Sequence, residues 1–354
     1  MTKQAFINDL KLSLFGVNDS VREEILADIN EHFIEGTAQG LSEEEICRSL
    51  GQPSTIAAQV MEEMGTPPPQ QERPRENFYT DNNQDFTPTE VDESFPNASI
   101  SALKIDLEVS KLRLLPSENG MFRVIITNLT DRDKHSIEDR NGTLYINVKR
   151  KKRFIEFVWG SSTSPEVKVY IPKQFGGKIK VDSAAGSIRA NDTSGDLHFE
   201  AAAGKIVVDN HRCSYVRFES AAGSVKANFA DSILEEVKID SAAGSVKLDA
   251  AEIKHLKIDS AAGSVKANIK RLGETKIESA AGSATLTAYE IAGNMKVASA
   301  VGSININLPA DANIRIDAEK PSMGKLHNNI QGNPQSPYVL KAESSLGSIR
   351  INAI

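Results

Sequence analysis

The stretch Asp240-Ser241-Ala242-Ala243-Gly244-Ser245-Val246 recurs through the second half of the chain. Aligned copies centre on Gly186, Gly204, Gly223, Gly244, Gly263, Gly282 and Gly302, with degraded copies at Gly324 and Gly347. Successive glycines are 18, 19, 21, 19, 19, 20, 22 and 23 residues apart, a period that belongs to solenoids rather than globular domains. Each copy is expected to form one rung of a single-stranded parallel β-helix, so the fold class is mainly β.

Around Gly186, Gly204, Gly223, Gly244 and Gly263 apolar residues stand five and seven places before the glycine, as at Val237/Ile239 and Leu256/Ile258, and two and four places after it, as at Val246/Leu248 and Val265/Ala267. Each pair alternates with polar residues, the period of a strand with one buried face. From five before to two after is an odd step, so an unbroken strand would turn the second pair outward. The Ser-Ala-Ala-Gly segment must therefore bend the chain, and its alanines keep the bend thin enough for rungs to stack about 4.8 Å apart.

Polar positions form columns too. Five places after each glycine stand Asn191, Asp209, Asn228, Asp249, Asn268, Thr287, Asn307, Asn329 and Asn352, residues whose side chains suit corners and can bond along a stack. An acidic column, Asp182, Glu200, Glu219, Asp240, Asp259 and Glu278, ends at Ala298. Two residues before it runs a basic one, Lys180, His198, Arg217, Lys238, Lys257, Lys276 and Lys296, with Arg189, Lys226, Lys247 and Lys266 beyond the bend. Stacked carboxylates repel, so the columns read as a solvated, self-compensating face.

The reiterated Asp/Glu-Ser-Ala-Ala-Gly-Ser-Ile/Val unit over roughly residues 97–354 resembles the bacterial putative-adhesin family of unknown function with β-strand repeats. That resemblance implies a parallel β-helix, right-handed by family analogy, and brings no catalytic motif with it.

Residues 2–64 are a different kind of sequence. Phe6, Ile7, Leu10 and Leu14 mark one helical face, and Ile25, Ile29 and Phe33 mark a second after the Asn18-Asp19-Ser20 start signal. Ser42-Glu43-Glu44-Glu45 reads as a capping box for a third helix through Ile46 and Leu50, and Pro53 opens a fourth with Ile56, Ala57, Val60 and Met64 inward. The Glu31-His32-Phe33, Gly40-Leu41-Ser42-Glu43-Glu44-Glu45 and Leu50-Gly51-Gln52-Pro53 segments resemble the HAAS-type helical domain of bacterial signalling and envelope-stress proteins. His32 reads as a helix-surface or packing residue. The expected organisation is a helical domain at 1–65, a Pro-rich linker at 66–96 that acts as an extended tether, and a solenoid domain at 97–354. Residues 97–175 supply N-terminal strands and a cap, and 176–354 supply about nine rungs of roughly 20 residues.

The net charge of −7 argues against a general nucleic-acid binder. Cys47 and Cys213 show no metal-ligand or disulfide spacing, so neither a metal site nor a cofactor is expected. The amino terminus lacks the apolar core of a signal peptide, and no run approaches the length of a transmembrane helix. A cytoplasmic protein is the default, with surface display by a route lacking a standard signal peptide as the alternative.

Two segments invite contact. Lys149, Arg150, Lys151, Lys152 and Arg153 run directly into Phe154, Phe157 and Trp159, the only tryptophan. Bases with interfacial aromatics suit a peripheral anionic membrane surface, single-stranded nucleic acid held by backbone attraction and stacking, or a solvated strand end followed by a packed strand. At the far end the chain stops within the repeat, so Ile349, Ile351 and Ile354 mark an expected open edge for a protein partner or self-association.

A non-enzymatic binding scaffold, set by the resemblances in bacterial cell-envelope stress sensing or regulation, is the leading reading. A surface adhesin is one rival. A polysaccharide-active β-helix enzyme is another, since acids one rung apart approach a retaining glycosidase's separation, but that geometry recurs along the whole column.

Overall fold

The computed structural model describes residues 1–38, 40–63, 89–130, 133–150 and 164–354. They fall into two compact units, helical and β, each with its own apolar cluster.

The helical unit holds α1 (Lys3–Ser13), α2 (Asp19–Ala38), α3 (Glu43–Leu50) and α4 (Pro53–Glu63). Phe6, Leu10, Leu14, Ile25, Ile29, Phe33, Ile46, Leu50, Ile56, Ala57 and Val60 are buried together, as their spacing predicts. The capping box forms: Ser42 Oγ accepts from the Glu45 backbone N–H while the Ser42 N–H donates to the Glu45 carboxylate at 2.9 Å. The expected inward Met64 lies outside the described residues.

The β unit opens with β1 (Thr89–Phe95), β2 (Ala102–Val109), β3 (Lys111–Ser117), β4 (Phe122–Leu129), β5 (Asp133–Arg140), β6 (Thr143–Arg150) and β7 (Glu166–Pro172). The regular rungs follow as β8 (Lys178–Ala185) with β9 (Ile188–Asn191), β10 (Asp196–Ala203) with β11 (Ile206–Asp209), then β12 (Tyr215–Ala222). Three long strands continue the winding: β13 (Val225–Ala243), β14 (Val246–Ala262) and β15 (Val265–Ala281). The last are β16 (Ala284–Ile291), β17 (Met295–Val301), β18 (Ile304–Leu308), β19 (Arg315–Ala318), β20 (Leu326–Asn328), β21 (Val339–Leu346) and β22 (Ile349–Ala353).

Neighbouring rungs pair in parallel and in repeat register, with one shift between Phe229 and Ile233 where β13 meets β14, so that Val246 faces Val265, Ile258 faces Ile277 and Ser260 faces Ser279. Within one rung Val246, Leu248, Ala250, Ile253, Leu256, Ile258 and Ser260 turn inward. A fully buried Ile or Leu contributes about 1.5–3 kcal/mol, and each rung adds several. The larger rings stack along the axis, Phe199 on Phe218 at 5.4 Å between centroids.

The bend lies where the parity argument requires it. Gly244 has φ +124°, and a Cβ built on it would stand 1.9 Å from the carbonyl oxygen of Gly223. Even the corner is laddered, since Gly244 N–H donates to Ala262 O at 3.0 Å.

Both ends depart from simple winding order. At the start, β2 inserts between β6 and β8, and β3 between β7 and β9, so the first rung in sequence is not first in space. The hairpins of β5 on β6 and of β1 and β4 on β7 then close that end with antiparallel strands. The β5 to β6 turn uses Asn141 and Gly142, both at positive φ (52° and 78°), the twist that a two-residue hairpin needs. Residues 89–95, expected to be linker, are therefore a strand of the cap. At the finish, β21 lies between β17 and β19, and β22 between β18 and β20. The expected open edge is thus corrected at Ile349 and Ile351, which are fully buried with a strand on either side, while Ile354 is exposed; the terminal rung in space is β19 and β20.

Replacing Gly244 by Ala should lower solenoid stability by at least about 3 kcal/mol, since strained φ and backbone clash coincide. Ala243→Val, which copies Val301 in the same exposed column, should change it by no more than about 0.5 kcal/mol. Urea unfolding followed by far-UV circular dichroism measures both.

Candidate functional site

The acidic column becomes one wall of a groove of about 1080 Å³ that runs alongside the corner stack. Asp182, Glu200, Glu219, Asp240, Asp259 and Glu278 line it, Asp106 of β2 extends the column, and small Ser and Ala residues of the bend form the floor. Parallel pairing in register sets the carboxylates one rung apart.

The basic column answers it. Lys238 Nζ stands 3.0 Å from Asp240, Lys257 2.8 Å from Asp259, Lys276 2.9 Å from Glu278 and Arg217 Nε 2.6 Å from Glu219. Residues i and i+2 share one face of a strand, which is why the pairs form within each rung. Lys180 reaches across to Glu200 at 2.9 Å. That bond holds the Glu200 carboxyl below its ordinary range and the Lys180 ammonium above its own. Such half-exposed pairs are screened by solvent and add little to stability. Their effect is to cancel like-charge repulsion along the column.

His198 interrupts the basic column. Its Nε2 is 3.1 Å from Glu200 Oε1 and 3.8 Å from Glu219 Oε1, and the three could supply ligand atoms within 4.8 Å of one another. Lys180 and Arg217 already hold those carboxylates. A divalent ion would have to displace both cations, so the trio reads as part of the compensated face.

The corner column behaves as its residue types suggest. Asn228 donates to Asp209 at 2.8 Å, Asn307 to Thr287 at 3.0 Å and Asn352 to Asn307 at 3.2 Å, each across one rung. Asn329 donates to Asn352 at 3.4 Å, following the spatial order and not the chain order.

Of the basic-aromatic segment, Lys149 is exposed. Arg150 is not: its side chain is 1% exposed, with Nε 2.8 Å from Asp133, whose side chain is fully buried. A contact role for Arg150 is therefore corrected. The Asp133 hydrogen-bond acceptors attract it inward, and Thr130 donates to the same carboxylate through both its backbone N–H and its hydroxyl. Burial raises the Asp133 pKa, but the bonds from Arg150 and Thr130 outweigh it and leave the carboxyl lowered. Lys151, Lys152, Arg153, Phe154, Phe157 and Trp159 lie outside the described residues.

A second buried polar centre carried no sequence signal, because it lies outside the repeat columns. Thr193 Oγ1 is 2.7 Å from His211 Nδ1, and His211 Nε2 is 2.7 Å from the Gly195 carbonyl. A carbonyl only accepts, so Nε2 carries the proton and Nδ1 accepts from the threonine. Burial pulls the imidazole from its ordinary 6.5 down to about 4. Burial likewise pushes the Cys213 thiol far above its usual range, which makes it unreactive.

Two measurements follow. Arg150→Ala should cost about 3–5 kcal/mol by stranding a buried carboxylate, while Asp133→Leu with Arg150→Leu should recover most of that loss in urea melts. Because the folded His211 pKa lies below its unfolded value, its contribution is full above pH 6.5 and is lost as pH falls toward about 4, a change of about 3 kcal/mol. In His211→Gln that slope of unfolding free energy against pH between 6.5 and 4 should disappear.

A family model described as Toastrack DUF4097 matches residues 100–334, and a HAAS model matches residues 5–59. Both agree with the resemblances carried by the repeat unit and by the amino-terminal motifs. Similar solved structures include a putative cell adhesion protein from Clostridium sporogenes ATCC 15579, 12% identical, covering 76% of this chain and 100% of that one with a TM-score of 0.23. A putative adhesin from Bacteroides fragilis NCTC 9343 is 12% identical over 75% of this chain and 97% of that one, with a TM-score of 0.38. Another, from Parabacteroides merdae ATCC 43184, is 14% identical over 75% and 96%, with a TM-score of 0.31. No curated protein matches in sequence.

Proposed function

The chain belongs to the Toastrack DUF4097 family, and from that premise we propose that it is a non-enzymatic binding scaffold of bacterial cell-envelope stress sensing or regulation. The solenoid is the rigid platform, and the HAAS unit at residues 5–59 is a second binding module. The observation that carries this reading is the repetition of one compensated surface: on rung after rung an acid meets a cation two residues before it, at 3.0, 2.8 and 2.9 Å on three successive rungs. General acid and base chemistry needs one exceptional pair in one environment. A periodic face instead suits a repetitive or extended partner.

The scaffold works at the cytoplasmic face of the membrane, where the segment from Lys149 to Trp159 docks on anionic lipid. No helix among the described residues is long and apolar enough to cross a membrane. Arg150 supports this arrangement as a buried anchor at the base of the segment, leaving Lys149 outside it and three further cations to follow.

The test is co-sedimentation of the full chain with anionic and neutral vesicles. A variant with Lys149, Lys151, Lys152 and Arg153 changed to Gln keeps Arg150 and its fold. Salt-sensitive binding to anionic vesicles alone is expected, weakened at least tenfold in the variant, since each cation near such a surface contributes about 1 kcal/mol. Equal binding to both vesicle types, binding unchanged in the variant, or no binding to either overturns the membrane contact.

A further inference from the structure

The last three rungs in space carry an apolar surface that the six alanine rungs before them lack. The residue before the corner glycine is Ala185, Ala203, Ala222, Ala243, Ala262 and Ala281 on six rungs, and then Val301, Leu346 and Met323 on the last three in space. Those three stack into one apolar ridge, 51%, 43% and 71% exposed, that ends at the tip.

Beside the ridge the ladder stops. Arg315 N–H donates to Tyr338 O and Glu319 N–H to Ala342 O, so the odd residues of β19 face β21. Alternation along a parallel strand turns the backbone groups of Ile316 and Ala318 the other way, where no further strand lies among the described residues. Ile314 O is taken by Asn333 N–H at 2.8 Å, which confines the open stretch to β19.

The opposite end is protected differently. Its outermost strands carry Glu90, Asp92 and Glu93 on β1 and Lys134, Glu138, Asp139 and Arg140 on β5, the charges by which natural edges refuse a new strand. Head-to-tail stacking is therefore disfavoured. Tip-to-tip pairing meets a complementary pattern: with Ile316 opposite its own symmetry mate in an antiparallel pair, Arg315 of each copy stands opposite Asp317 of the other. An isologous contact needs that self-complementarity.

We propose that a second copy of this chain covers the tip. Two solenoids meet about a two-fold axis through Ile316, the N–H and C=O of Ile316 exchange hydrogen bonds with those of its mate, Arg315 meets Asp317 on either side, and the partner covers Met323. This contact is independent of the membrane segment and of the scaffold reading above.

Sedimentation equilibrium of the full chain over a concentration series tests it. The wild type should dimerise, and Arg315→Asp or Asp317→Arg alone should weaken the dimer at least tenfold by opposing like charges twice. The double exchange should restore it to within about threefold, because the pairs are rebuilt across the axis. A monomer up to about 0.1 mM, association beyond the dimer, singles without effect, or a double exchange that fails to restore pairing would each overturn the proposal. Met323→Lys should weaken the dimer as well, and an unchanged dimer in that variant removes the ridge from the contact.

Discussion

The close approach of one corner to the next governs this molecule. The Gly223 carbonyl oxygen lies where a side chain on Gly244 would begin, and the same contact recurs between Gly244 and Gly263 and between Gly263 and Gly282. A corner that thin allows the full backbone ladder to pass through the bend, so every rung must repeat the last in register. In-register stacking then places like on like: Val and Ile build an axial core, and carboxylates stack into a column that would repel itself. The cation two residues earlier on each strand is the local answer to a problem the corner creates.

A solenoid so constrained has no internal reason to stop, and its ends show how stopping is achieved. At both ends the rung that is outermost in sequence moves inward by one place, and an irregular segment takes the exposed position. At the beginning that segment is a set of antiparallel hairpins with charged edges, tied down by the buried Arg150 and Asp133 pair. At the finish it is the short β19 and β20 with an apolar ridge alongside. The two ends are chemically unlike, one charged and one apolar.

The functional reading rests on the same repetition. An enzyme concentrates its chemistry by making one location different from all others, whereas here the groove wall repeats, and from Asp182 to Glu278 each carboxylate has a neighbouring cation. Where the repetition does break, at His198, cations on adjacent rungs already occupy the acids around it. Binding over length, with selectivity supplied by the ends and by attached segments, is what this architecture does well.

Much was legible from residue order alone, because the features concerned are local or periodic. The rungs, their inward faces, the bend at Ser-Ala-Ala-Gly, the amide and carboxylate ladders and the capping box at Ser42 all follow from spacing, and spacing survives folding. Three features escaped it. That Arg150 turns inward depended on Asp133, placed opposite it by the β5 and β6 hairpin. The enclosure of His211 depended on Thr193, one rung away. The rung order at each end depended on which strand reaches an unpaired ladder, and a strand passing the same repeat test fits equally well at either place. A periodic sequence thus determined what each rung is, while only the tertiary structure decided which rung is last, because identical hydrogen-bonding edges carry no record of chain order.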